Sequence, residues 1–160
     1  MNELSQEELK KLVQALAWND AFGCYTRAGF EKLIWPEIAS QARWIIYFDV
    51  DGMHHLNAAY GDYAPVDAMI KQVLAVMRAS DYIAGQWKSG DEFLICLTES
   101  DGRQILDPHG MIERLTEELK KHGMAATFAV VPVRSPDLAE NVKPAVDRVY
   151  ASKNQRGTGR

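Results

Sequence analysis

Two cysteines in 160 residues, Cys24 and Cys96, are too few and too far apart to staple a small secreted scaffold. They read as reduced thiols. No apolar run approaches the roughly 20 residues that a helix needs to cross a bilayer. Charge of one sign is also scarce: 18 Lys and Arg stand against 22 Asp and Glu, a net of −4. That balance removes the basic field that draws proteins to nucleic acid or anionic lipid. The opening MNELSQEELKK is polar and acidic, without the apolar segment of a secretory leader. These absences predict a cytoplasmic protein with no membrane and no nucleic-acid partner. Internal repeats, low-complexity tracts and long linkers are missing too. What remains, 47% hydrophobic and 25% charged, is the composition of one globular domain with its own core.

The apolar spacing then gives the elements. Ser5 and Glu8 form a capping-box pattern ahead of Leu9, Leu12, Val13, Leu16 and Ala17, so residues 6–18 are an N-terminal helix. A second helix is expected over 28–40, kinked by Pro36. WIIYFDV (44–50) is a buried central strand, and residues 65–79 fit a helix face. DYIAGQW and EFLICL read as strands around a KSGD turn. Asp107-Pro108 starts a helix that stops at Gly123, AATFAVVPV (125–133) is a strand, and a last helix runs from Ser135-Pro136 to about Ser152. The order from residue 44 is βαββαβ plus a helix. It predicts an α+β, ferredoxin-like palm with extra N-terminal and C-terminal helices, its two crossover helices on one face of the sheet. The domain proper is 19–160, after the helix of 1–18.

In that topology the first strand lies beside the central hairpin, which brings Asp49 near Asp91 and Glu92. Two carboxylates at neighbouring strand ends repel unless a cation or a proton sits between them. Magnesium suits such a pair, since it takes oxygen ligands and fills its shell with water and phosphate.

SGDEF (89–93), preceded by GQW and by FDVDGMHHLN about forty residues upstream, resembles the GGDEF family of diguanylate cyclases. Phe48, Asp49, Asp51, Leu56, Asn57, Tyr60 and Gly61 fall on the family pattern, followed by Arg78, Asp81, Gly90, Asp91, Glu92 and Phe93. GCYTRAGF (23–30) and VYASK (149–153) resemble its entry and exit motifs. The resemblance implies a nucleotidyl-cyclase palm with catalytic Asp49, Asp91 and Glu92. It implies magnesium or manganese on Asp49, the Val50 carbonyl and Asp91. Substrate would meet Gly52, Met53, His54, Asn57, Ser89, Gly90, Lys153 and Arg156, with the backbone of 52–54 cradling phosphates from a turn. Arg78 and Asp81 would form the product-binding inhibitory site.

The departures are as specific. Ser89 replaces the first glycine of the signature, Lys88 looks inserted, and Gln86 stands where the family has arginine. His54 replaces a phosphate-binding lysine, and imidazole is mostly uncharged at pH 7. The guanine-reading aspartate is expected five residues after Gly61, where Val66 stands, with Asp67 one place late. The resemblance therefore implies a stand-alone diguanylate cyclase, a nucleotidyltransferase that joins two GTP into cyclic di-GMP at a homodimer interface. The alternatives are a catalytically degenerate GGDEF domain that binds GTP or cyclic di-GMP and signals through a partner, or a cyclase with another base preference.

Overall fold

The computed structural model describes residues 3–77, 82–99 and 107–155. Helix α1 (Gln6–Ala17) starts at the expected capping box: Glu8 N–H donates to Ser5 Oγ, and Ser5 N–H donates to the Glu8 carboxylate, both at 3.1 Å. Two short strands follow, β1 (Trp18–Asn19) and β2 (Cys24–Thr26). The chain is then helical from Arg27 to Ile38, as α2 (Arg27–Gly29), a π turn (Phe30–Ile34) and α3 (Trp35–Ile38). The π turn lies just before Pro36, which has no N–H to give the Lys32 carbonyl.

The central strand β3 (Ala42–Asp51) is followed by α4 (Met53–Tyr60) and α5 (Ala64–Leu74). Then come β4 (Tyr82–Gly85), β5 (Glu92–Thr98), α6 (Pro108–Lys121), β6 (Ala125–Pro132) and α7 (Leu138–Gln155). One six-stranded sheet runs in the order β1-β2-β4-β5-β3-β6. β3 pairs antiparallel with β5 and β6, and β5 with β4, whereas β2 joins β4 in parallel. This is the expected α+β palm.

The two crossover helices, α5 and α6, lie on one face of the sheet as expected, and α3 and α7 cover the other. Ile46, Phe48 and Val50 of β3 pack with Val66, Ile70, Leu115 and Leu119 from α5 and α6. Ile45 and Tyr47 pack on the other face with Trp35, Val142, Ala145, Val146 and Val149. The reason lies in the strand itself: apolar side chains of both parities leave no face for water. Helix α4 was not expected. Its sequence, MHHLNAAY, carries no apolar stripe, and it is fixed instead by its ends. Gly52 precedes it at φ +67°, a left-handed turn that turns the chain out of β3 and into the helix. Likewise the turn after β4 is a six-residue loop, 86–91, longer than a KSGD hairpin.

Close backbone contact sets where α1 sits. A Cβ on Gly29 would lie 2.5 Å from the Ala17 carbonyl oxygen and 2.6 Å from Ala17 Cα. Backbone cannot yield as a side-chain tip can. Gly29→Ala is therefore expected to destabilise the fold by about 1–3 kcal/mol, read as a lower denaturation midpoint with an unchanged slope.

Candidate functional site at the β3–β5 strand ends

The strand register brings the acids together. Asp49 of β3 is the direct partner of Glu92 at the start of β5, and Val50 N–H donates to the Asp91 carbonyl at 2.9 Å. Both Asp49 and Glu92 have 0% of their surface exposed. Ionised carboxylates in such a place need partners, since desolvation is expensive.

Glu92 is held by hydroxyls. Tyr47 Oη donates to Glu92 Oε1 at 2.5 Å, and Tyr150 Oη of α7 donates to the same oxygen at 2.8 Å. Ser89 Oγ lies 2.8 Å from Glu92 Oε2 and 2.5 Å from Asp91 Oδ1, and its single proton goes to one of them at a time. Burial and the hydrogen bond to Glu92 push the Tyr47 hydroxyl well above its usual range, so it stays a donor.

Asp49 is held by an ammonium. Lys153 Nζ, 5% exposed as a residue, sits 3.0 Å from Asp49 Oδ1 and 3.1 Å from Asp51 Oδ1. Thr127 Oγ1 of β6 also donates to Asp51 Oδ1, at 2.9 Å. Burial nevertheless raises the Asp49 carboxyl to about 7, against the lowering effect of Lys153, and the neighbouring Asp91 carboxylate adds to the rise. Asp49 and Asp91 are near enough to share a hydrogen bond. This pair has more negative charge than one lysine neutralises.

Beside the acids lies a cleft of about 460 Å³, lined by Phe22, Met53, His54, Asn57, Tyr63, Asp67, Gln86, Gly90 and Asp91. Asn57 Oδ1 is buried there with no hydrogen-bond partner among the described residues. An orphaned acceptor is costly unless a ligand N–H fills it. Asp67 supplies a second acceptor. Gln86 holds φ +56°, which side chains rarely adopt, and it lies beside Gly90.

The fold and this arrangement have counterparts among solved structures. A microbial GGDEF domain described with cyclic di-GMP superposes with a TM-score of 0.70 at 16% identity, over 88% of this chain and 94% of that one. The diguanylate cyclase SiaD of Pseudomonas aeruginosa, solved with its activator SiaC, gives 0.70 at 18% identity; the match spans 94% of this chain and 64% of that one. The FimX GGDEF domain of Pseudomonas aeruginosa gives 0.66 at 16% identity, over 87% and 94%. This chain has the fold of a GGDEF domain. No protein-family model and no curated protein matches its sequence.

Within that GGDEF fold the expected site residues fall in two groups. Asp49, Val50, Ser89, Asp91, Glu92 and Lys153 gather at the β3–β5 strand ends. Met53, His54, Asn57, Gly90 and Asp91 line the cleft, so Asp91 belongs to both. Gly52 is the turn residue that precedes helix α4, and Met53 and His54 open the helix, which leaves N–H groups at its N-terminus. Arg78, Asp81 and Arg156 lie outside the described residues. Val66, at the expected guanine-reading place, is fully buried in the core, and Asp67 faces the cleft instead. Tyr47, Tyr150, Phe22 and Tyr63 were not expected at the site. Tyr150 had a signal: it precedes Lys153 by three, which puts both on one helix face.

No cluster of three or more His, Cys, Asp and Glu among the described residues is arranged to hold a metal. Two carboxylates and one carbonyl are nonetheless the share that Mg²⁺ takes from a protein. The surplus negative charge on Asp49 and Asp91, all of it on oxygen, fits that hard cation.

A carboxyl whose folded pKa is raised binds more protons folded than unfolded. Its stabilising share is thus complete below the unfolded value near 4 and is lost as pH rises to about 7. Asp49→Asn is expected to raise the melting temperature at pH 8, by an amount worth on the order of a few kcal/mol. The gain should shrink towards pH 4 in a pH series of thermal melts.

Proposed function

We propose that this domain binds GTP in the 460 Å³ cleft and, as a pair of copies, condenses two GTP into cyclic di-GMP with magnesium. The observation that carries the reading is the convergence at Asp91, which lines the cleft and also lies against buried Asp49. A carboxylate pair able to hold a cation thus opens onto a nucleotide-sized cleft. Asp67 and Asn57 Oδ1 offer acceptors to N1–H and N2–H of guanine; adenine has no N1–H to give. The first turn of α4 offers N–H groups to phosphate.

In the reaction, the 3′-hydroxyl oxygen of one GTP attacks the α-phosphorus of the other. The hydroxyl proton leaves and pyrophosphate departs, and the second bond forms in the same way. Magnesium on Asp49, Asp91 and the Val50 carbonyl would favour the alkoxide and neutralise the triphosphate. Asp91, at the mouth of the cleft, orients the reacting oxygens. Glu92, its two oxygens taken by three hydroxyls, anchors the 89–92 turn and so fixes Asp91. Ser89 is part of that anchor. Two sites must meet face to face, because each contributes one nucleotide.

A second reading, a GGDEF domain that binds nucleotide without turnover, is favoured by the Lys153 ammonium lying on Asp49, one of the two carboxylates that would hold the metal. Incubating concentrated protein with magnesium and GTP or ATP, followed by chromatography, separates the two. We expect cyclic di-GMP from GTP, its loss in Asp91→Ala, and little product from ATP. No product from either nucleotide, with GTP still bound, would establish the second reading. Asp67→Ala is expected to weaken GTP about tenfold by removing a charge-assisted hydrogen bond. It should leave ATP affinity unchanged.

A further inference from the structure

We propose that Lys153 is a displaceable counter-ion of Asp49, the carboxylate that would hold a metal beside Asp91, so that divalent cation and triphosphate enter the site cooperatively. This rests on the nucleotide reading above and adds to it an order of events.

Four observations lead there. Lys153 is almost wholly buried, yet its ammonium lies on two carboxylates, 3.0 Å from Asp49 and 3.1 Å from Asp51. Asp49, the acid best placed to hold a cation beside Asp91, is thus already occupied by one. The helix that carries the lysine cannot retreat: Val142, Val146 and Val149 of α7 are packed in the core. Lastly, Asp51 keeps a second partner in Thr127, so it does not depend on the ammonium for its place.

A divalent cation on Asp49 would meet this ammonium at close range, and two cations on one carboxylate repel. Something has to move. The lysine stem is the soft part, four flexible carbons ending in a compact, strongly hydrated charge. Once displaced, the ammonium needs a new anion near the mouth of the site. A triphosphate is such an anion, so each ligand removes the obstacle to the other. By linkage the coupling is reciprocal: nucleotide tightens metal binding by the same factor as metal tightens nucleotide binding. A lysine that only touches phosphate makes the opposite prediction for metal alone, since its removal would leave metal affinity unchanged.

The test is Mn²⁺ binding followed by electron paramagnetic resonance at pH 8, with and without the non-cleavable α,β-methylene analogue of GTP. It needs no turnover. In the wild type, Mn²⁺ is expected to bind weakly alone and markedly tighter with the analogue. Lys153→Met is expected to bind Mn²⁺ alone about tenfold tighter, the least that an opposite charge at this range shifts a carboxylate equilibrium. The analogue should then add little. Lys153→Arg keeps the charge and is expected to restore weak, nucleotide-dependent binding, and thermal melts confirm that each variant is folded. Should Lys153→Met not fold, Lys153→Gln replaces it with the same expectation.

Unchanged or weaker Mn²⁺ affinity in the folded Met or Gln variant overturns the inference. If the wild type meanwhile still binds the analogue, the nucleotide reading stands without it. A wild type that takes neither Mn²⁺ nor the analogue overturns both.

Discussion

Two carboxylates placed opposite each other in a sheet interior, Asp49 on β3 and Glu92 on β5, set the terms for everything around them. Strand pairing leaves no choice about their proximity, and the helices on both faces leave no water to screen them. Each must find donors or a cation from the protein, or keep a proton. The polar residues of the site are arranged by that demand: two tyrosines, a serine and a lysine come from three different segments, β3, the 86–91 loop and α7, to meet it.

The two acids meet it in different ways, and the difference separates structure from chemistry. Glu92 accepts from neutral hydroxyls that belong to the fold, among them Tyr47 on its own sheet and Tyr150 on α7. Neutral hydroxyls held by strand and helix packing make a fixed arrangement. Asp49 has an ammonium on a flexible stem, and its proton affinity stays high despite it. A bond to a movable cation can be exchanged for a bond to another cation. On the proposed function the buried pair is one anchor and one exchangeable site, and Asp91, shared between the Asp49 contact and the cleft, would couple the second to a bound nucleotide.

The fold was largely legible in the sequence because its strongest signals are physical ones. The WIIYFDV run names the central strand, the Ser5–Glu8 box starts α1, and Asp107-Pro108 caps α6, with Asp107 accepting from His109 N–H at 3.0 Å. What escaped was set by three-dimensional context. Helix α4 lacks an apolar stripe because its residues face a cleft more than a core, so periodicity could not find it. Both faces of the sheet are covered because β3 and β5 carry apolar side chains of both parities, as the continuous run of β3 implies. At the site, the acids could be placed by strand order alone. Their hydroxyl partners could not, since Tyr47 and Tyr150 meet Glu92 across 45 and 58 residues of chain.

A one-residue slip separates spacing along the chain from direction in space. On the motif spacing, Val66 stands at the place expected for a guanine-reading aspartate, and Asp67 falls one place late. In the structure, Val66 is fully buried and Asp67 lines the cleft with Asn57. A step of one residue on a helix turns a side chain by about 100°. An aspartate one place late therefore reaches the same space only if the helix itself is rephased or entered differently. Here Pro65 sits in the first turn of α5, which begins at Ala64 only three residues after Gly61 closes α4. The short link and the proline, with its fixed φ, set the phase of α5 from its first turn. Under that phase the core takes the valine and the cleft takes the acid. Spacing along the chain is thus a stand-in for direction in space.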